Sequence, residues 1–346
     1  MGLSGAAGRG DLSVVTVCMN RREHLLRSAA AVAAWPWHNE HLVVDWSSSV
    51  PLRRDELPAD PRLRLLRVDG ERRWNLCRAY NFAVARCVGK RVFKLDADAW
   101  PTEAFNPEDP SLRLPGPRAD AEGCLCAFGS GPDGRKGQFL IDRALFEAVG
   151  GFNELLEGYG FDDKDLLSRL CMFCGYQAIP FPPHWIAVIA HSDEERAEQL
   201  AGRSAMAISQ GLAAMRATRL ANRLLAAQSH WGAHSPRSSY RQEAVALWRL
   251  EPGTLPSPPS QVVAEVEHAR RMTFWGFFLA IPEVFLEELP FSLFPQDREG
   301  RWAVRWWHRL WWYSGRALLA LPVWALVASR QALFRFCKRR ALLWPR

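Results

Sequence analysis

The sequence predicts an α/β protein built on a mostly parallel sheet with helices on both faces. Two observations carry this: short apolar, β-branched runs alternate with helically periodic segments, and the runs end on polar or acidic residues. In open sheets of this kind ligands bind beyond the carboxyl ends of the strands, so function is sought there. Composition agrees. The chain has 346 residues, 48% hydrophobic and 23% charged, which suits one large domain with additions or two domains and excludes global disorder.

The elements follow in order. "LSVVTVCMN" (12–20) reads as a strand and "REHLLRSAAAVAAW" (22–35) as the helix after it. "EHLVVDWSSS" (40–49) repeats the plan, with Asp45 and three serines at its end, and "LRLLRVD" (63–69) is a third strand. "NLCRAYNFAVARCVGK" (75–90) reads as a helix closed by Gly89. The fourth strand, "RVFKLDADA", ends on Asp96 and Asp98. Side chains at i and i+2 of a strand point the same way, so these carboxylates converge where the strand emerges. Like charges that close call for solvent, a basic partner or a hard divalent cation between them. Neither G-x-G-x-x-G nor G-x-x-x-x-G-K-[ST] stands at the first strand–helix turn, which disfavours the usual dinucleotide fold and the P-loop.

Residues 102–136 are rich in Pro, Gly and Asp, a loop-dominated stretch able to cover a site, with a short strand at 124–130. From 137 to 176 the pattern gives a strand, a helix ending at Gly150-Gly151, and a second helix with Asp162, Asp163 and Asp165 in its first turn. A helix N-terminus favours negative charge, yet one cap needs one acid. "HWIAVIAHSDEER" (184–196) is a strand running into His191, and a helical stretch continues to about 228. The Pro/Ser-rich "EPGTLPSPPS" (251–260) sets the expected division: a main domain over 1–250, a linker with an apolar helical segment over 251–300, and a basic, Trp-rich helical tail over 301–346.

In order and spacing, "VVTVCMNR", "HLVVDWSSS", "RAYNFAVARCVGK", "FKLDADA", "GYGFDDKDLLSRL" and "VIAHSD" resemble the metal-dependent nucleotide-sugar glycosyltransferases of the family 2 type. The second half is similar to the carboxyl part of galactosyltransferases and chondroitin-polymerase-like enzymes, and the resemblance covers about residues 12 to 230. It implies a GT-A-type, Rossmann-like sheet flanked by helices, with a helical C-terminal extension. It also implies an inverting transfer of a hexosyl or N-acetylhexosaminyl group from a nucleotide-diphosphate donor, UDP-linked for preference, to a glycan or other hydroxyl acceptor. By the same resemblance Asp96, Asp98 and His191 hold Mn²⁺ or Mg²⁺ against the diphosphate. Asp163 is the general base and Asp162 binds the acceptor, although relatives more often carry Glu-Asp here. Thr16, Asn20, Asp45, Arg78, Asn81 and Asp96 match positions lining the donor pocket. Where many relatives have a second Asp stands Trp46, which either stacks on the base or packs. Rival readings are a nucleotidyltransferase on a related sheet and a non-catalytic scaffold holding membrane or nucleic acid. The first wants a glycine in the loop "CMNRREH", and the second leaves Asp96, Asp98, Asp163 and His191 without a reason to coexist.

The N-terminal "MGLSGAAGRGDLS" is small and polar, and the eight cysteines are scattered, so free thiols and a cytoplasmic location, peripheral on the inner face of a membrane at most, are expected. Cys124-Leu-Cys126 and Cys171-x-x-Cys174 could meet around zinc, although thiols in an amphipathic run more simply serve as small hydrophobes. Apolar runs at 273–286 and 317–329 fall short of the ~20 residues that span a bilayer. Residues 301–346 hold ten Lys/Arg, no Asp/Glu and seven of the sixteen Trp, with Arg301, Arg305 and Arg309 on one helical stripe. That pattern suits an anionic bilayer surface rather than nucleic acid, the alternative being a helix packed on the main domain or a partner. Each basic residue near such a surface contributes roughly 1 kcal/mol, screened over about 8 Å at physiological salt. The full chain should therefore sediment with anionic liposomes, less so as salt rises, and a chain ending near Gly300 should not. Insoluble truncated protein, with a full chain that ignores liposomes, would make the tail structural.

Overall fold

The structure, a computed structural model, describes residues 11–114, 123–131, 133–190, 192, 195, 205–260 and 262–264, with single positions at 325, 329, 332, 333 and 336. Apart from those five positions the tail, like most of the segment before it, lies outside the described residues. The chain divides into two compact units, residues 1–192 with 226–257, and 193–225 with 258–346. In the first, strands β1 (Leu12–Cys18), β2 (Glu40–Trp46), β3 (Leu63–Asp69) and β4 (Arg91–Lys94) alternate with helices α1 (Arg22–Ala34) and α2 (Leu76–Val84). After β5 (Ala99–Pro101), β6 (Cys126–Gly129) and β7 (Phe139–Asp142) come α3 (Arg143–Ala148), α4 (Asp162–Cys174), β8 (Ile179–Phe181) and β9 (Ile186–Val188). Helix α5 (Ala205–Gln228) supplies the described part of the second unit up to residue 225, and β10 (Tyr240–Ala244) and β11 (Leu247–Leu250) return to the first.

Among the described residues the strands form a nine-stranded sheet, β10-β11-β3-β2-β1-β4-β7-β6-β8, and a two-stranded one, β5-β9. β11, β3, β2, β1 and β4 run parallel, whereas β7 is antiparallel to both β4 and β6. This is the mixed, mostly parallel α/β architecture that the alternation of runs predicts. The centre is apolar because it is covered on both faces: every residue of β1 and β2 is buried. Against one face pack Trp35, Phe93, Phe105, Phe181 and Trp185, with Phe105 and Trp185 stacked at 5.0 Å. Leu25, Ala29, Val43 and Leu52 form another cluster, on α1 and the strand ends.

Several elements depart from expectation. α2 stops at Val84, well before Gly89. Its start is fixed by Asn75, whose side chain accepts from the Arg78 N–H at 2.8 Å. Gly89 serves close approach instead: a Cβ there would lie 2.6 Å from the Ser13 nitrogen, where its own N–H donates to Ser13 Oγ at 2.8 Å. The strand expected over 184–190 shrinks to β9, which pairs with β5 in the small sheet. The β10–β11 hairpin was not legible, being short, polar and largely exposed. Among the described residues no helix is long and apolar enough to cross a membrane.

Two histidines sit inside this scaffold. His38 Nδ1 lies 3.0 Å from the Trp35 carbonyl and His41 Nε2 lies 3.1 Å from Thr16 Oγ1. Burial pushes His38 down to about 4, aided by Arg62 and opposed by Asp60. Burial and then His38 push His41 down to about 3. In the unfolded chain both protonate near 6.5, so the folded state binds fewer protons between those values. Their contribution to stability should be intact above pH 6.5 and fall as pH drops toward 4 and then 3. Urea midpoints measured across that range should decline, with a shallower slope in His41→Gln.

Candidate functional site

The parallel strands deliver their carboxyl ends to one edge of the sheet, and the acids gather there. β4 continues through Leu95 to Asp96, a turn closed by the Ala99 N–H on the Asp96 carbonyl (3.0 Å), and Asp98. From the other side α4 begins at Asp162 and Asp163. Its entry is tight: Gly158 and Gly160 have φ of 72° and 89°, and Phe161, a bulky residue, is held left-handed at 78°. Such a conformation costs on the order of 1–3 kcal/mol and persists only where the surroundings impose it.

Between the two groups lies Lys94, fully enclosed. Its Nζ donates to Asp96 Oδ1 at 3.0 Å and to the Gly137 carbonyl at 2.6 Å, stands 3.6 Å from Asp163 Oδ1, and sits 4.8 Å over the Tyr80 ring. Asp96 is gripped further. The Tyr80 hydroxyl shares its proton between the Leu95 carbonyl at 2.9 Å and Oδ1 at 3.1 Å, Gln138 Nε2 donates to Oδ2 at 2.7 Å, and Gln138 Oε1 accepts the Asp96 N–H at 2.8 Å. Gln138 and Gly137 arrive on the turn between β6 and β7, where Gly134 at φ 82° leads into a 3₁₀ turn at Arg135–Gly137. Thus the residues that reach the acids stand just past the expected covering loop of 102–136.

The electrostatics are lopsided, since one resident ammonium faces several carboxylates. Desolvation alone would lower Lys94, but Asp163 and Asp96 outweigh it and hold the ammonium charged well above its ordinary range. Burial pushes the Asp163 carboxyl up, as do Asp162 and Asp96, against the pull of Lys94. Asp162 is likewise raised, first by burial. Asp163 Oδ1 is buried and accepts no hydrogen bond. An all-oxygen set with excess negative charge fits a hard divalent cation. Among the described residues no three acid, thiol or imidazole groups converge tightly enough to hold one unaided, so an ion here would need further ligands from a bound substrate or from residues outside those described.

The other residues singled out from sequence divide into loop braces and undescribed positions. Asn20, at φ 57°, ties the loop after β1 to the loop after β2: its Oδ1 accepts from the Ser49 N–H (2.8 Å) and Oγ (3.0 Å). Asp45 is wholly enclosed and takes the N–H groups of Ser48 (3.1 Å) and Leu52 (3.0 Å) together with the Arg67 guanidinium. Thr16 is buried against His41. Arg78 pairs with Glu71 through two bonds, of 3.0 and 2.8 Å, and Tyr240 of β10 donates to the same Glu71 at 2.7 Å. Asn81 brackets Phe152, accepting its N–H and donating to its carbonyl, both at 2.8 Å. Trp46 packs between Phe82 and Tyr240. Asp165 pairs with Arg169 at 2.6 Å, which gives the third acid of the helix start a structural use. His191 lies outside the described residues. The chain leading to it passes Asp98, whose carbonyl accepts the Ile189 N–H at 2.8 Å. Cys124 and Cys174 approach to 4.0 Å, and the zinc alternative finds no metal-binding group among the described residues.

Lys94, Tyr80, Gly137 and Gln138 were missed. Lys94 had a signal: a charged residue in a buried strand needs an acid, and Asp96 stands two residues on, on the same face. Gln138 had none, because its contact is long-range.

No family model matches the sequence, and no curated protein does. Among solved structures, the mannosyltransferase PcManGT from Pyrobaculum calidifontis in complex with GDP-Man and Mn²⁺ is 18% identical with a TM-score of 0.43, and the match covers 64% of each chain. This chain thus spans less than two thirds of that protein. Glucosyl-3-phosphoglycerate synthase from Mycobacterium tuberculosis, with Mn²⁺, UDP and phosphoglyceric acid, is 18% identical with a TM-score of 0.43, over 74% of this chain and 92% of that one. A Drosophila β1,4-galactosyltransferase 7 variant, with manganese, UDP-Gal and xylobiose, is 12% identical with a TM-score of 0.40, over 70% and 93%.

Gly137 offers a direct test of the acid cluster. A Cβ there would lie 2.8 Å from Asp163 Oδ2 and 3.5 Å from Asp96 Oδ2. Gly137→Ala should force the carboxylates to shift and cost about 1–3 kcal/mol, as overpacking does, read as a lowered urea midpoint with unchanged m-value.

Proposed function

We propose that the chain is a metal-dependent inverting glycosyltransferase that moves a sugar from a UDP-linked donor to a hydroxyl of a glycan acceptor. One observation carries this reading: acids from the end of β4 and the start of α4 share one enclosed ammonium, at 3.0 and 3.6 Å, at the edge of the sheet where ligands bind. The ordered motifs of the sequence supply the rest. Asp96 and Asp98, with His191, are the residues that would hold Mn²⁺ or Mg²⁺ at the donor diphosphate. When bound, the ion neutralises charge on the departing nucleotide.

Asp163 is the group that takes the acceptor proton. Burial first, and then Asp162 and Asp96, raise its proton affinity against the pull of Lys94, and its ionised form is the one that accepts the proton. Attack from the side of α4, with the diphosphate leaving toward β4, inverts the anomeric centre. Asp162 stands beside it to orient the acceptor, and its N-terminal place on α4 puts both acids on a fixed backbone. Asn20 and Asp45, at the donor end, also tie together the loops after β1 and β2. The basic tail at 301–346 is the part that would rest on anionic lipid near a glycan acceptor.

A donor screen with Mn²⁺ tests the reaction class: one nucleotide sugar should be consumed and its nucleotide released, and EDTA should stop it. Asp98→Ala should remove both turnover and metal-dependent UDP binding. Asp163→Asn should spare UDP binding and lower turnover by about 10² to 10⁴, the usual worth of a general base. Near-full activity in Asp163→Asn would move the role to Asp162, and equal UDP affinity in EDTA would remove the metal from the mechanism.

A further inference from the structure

The mechanism above leaves Lys94 without a part, although no side chain in the site is more completely enclosed. A buried ammonium is costly unless carboxylates and carbonyls surround it. This one has Asp96, Asp163 and the Gly137 carbonyl around it and the Tyr80 ring beneath it. Asp96, which faces the donor end, thereby has Oδ1 occupied by Lys94 and Tyr80 and Oδ2 by Gln138. Asp163, which faces the acceptor end, has Oδ1 turned toward Lys94 without a hydrogen bond, which leaves Oδ2 as the oxygen beside Gly137.

We infer that Lys94 is the resident cation of this site, a positioning residue that competes with the divalent metal for Asp96 and aims the second oxygen of Asp163 at the acceptor. The inference rests on the glycosyltransferase reading and adds a division of labour to it. One fixed charge spans both halves of the site: it weakens the hold of Asp96 on a metal, so that Asp98 carries more of the binding, and it keeps the base from turning away. Two opposite effects follow from removing it. Metal affinity should rise, because a like charge leaves and Asp96 Oδ1 loses one of its two partners, whereas turnover should fall, because Asp163 loses the charge it faces. A side chain that only filled space would lower both.

Lys94→Met, close in length but uncharged, makes the test in the full chain. Calorimetry of Mn²⁺ binding in the presence of UDP is compared with donor turnover at saturating Mn²⁺. The expected result is Mn²⁺ affinity raised by at least about fivefold, the worth of one unit charge near 4 Å even in water-like surroundings, with kcat lowered by tenfold or more and little change in donor KM. Mn²⁺ affinity unchanged or lowered in a variant that melts like the wild type overturns the inference. Should Lys94→Met not fold, Lys94→Gln carries the same expectation, and failure of both to fold also overturns it, since the role assigned is in the site and not in folding. The wild-type titration separates the two levels. Absence of Mn²⁺-dependent UDP binding there sinks the functional reading itself, while normal wild-type binding with no gain in the variants sinks the role of Lys94 alone.

Discussion

A full positive charge enclosed at the end of β4 can persist only if its surroundings are built around it, and much of the site follows from that. Lys94 demands oxygens on several sides, and the chain supplies them from three separate places: Asp96 from its own strand, the Gly137 carbonyl from the β6–β7 turn, and Asp163 from α4. The left-handed Gly134 and the 3₁₀ turn after it bring that carbonyl inward, and the same turn lets Gln138 hold both the backbone and the side chain of Asp96. The unusual backbone at Phe161 is understood in the same way, since the acids that follow it must begin a helix while facing inward.

Around this centre the polar residues of the strand ends act as braces. Asp45, Asn20, Arg78 and Asn81 each make two or more bonds to neighbouring loops, and each joins segments that the sheet alone would leave separate. Buried polar groups that are fully bonded favour one arrangement over its near alternatives. Among the described residues, side chains thus tie together loops at the carboxyl edge, little of which is regular structure.

What the sequence disclosed depended on the range of the interaction. β1, β2 and β4 were legible because short runs centred on apolar residues mark strands buried on both faces, β3 because its buried leucines and valine are interspersed with charged residues, and α4 was legible with its acids because helix period and a glycine-rich entry are local signals. Asp96 and Asp163 could be named separately, but nothing local announced that one ammonium would lie between them. Nor could pattern alone distinguish a strand-end polar residue facing a ligand from one facing a loop: Asp45 and Asn81 have the composition of ligands and the contacts of braces. α2 ended early for a tertiary reason, the close crossing of Gly89 over Ser13. His191 and most of the tail lie outside the described residues.

The hairpin of β10 and β11 has a consequence for the chain as a material. β3 would otherwise end the sheet with a bare row of amides and carbonyls, and an open flank of that kind recruits strands from other molecules. β11 caps it in parallel, and β10, now outermost, carries Arg241, Gln242 and Glu243, with Arg249 and Glu243 paired at 2.7 Å. Charged, bulged at Gln242 and short, the new border is a poor template for further pairing. The colloidal behaviour of the protein thus rests on residues far along the chain from its reactive acids, and a fragment stopped before residue 240 would keep those acids while exposing an adhesive flank.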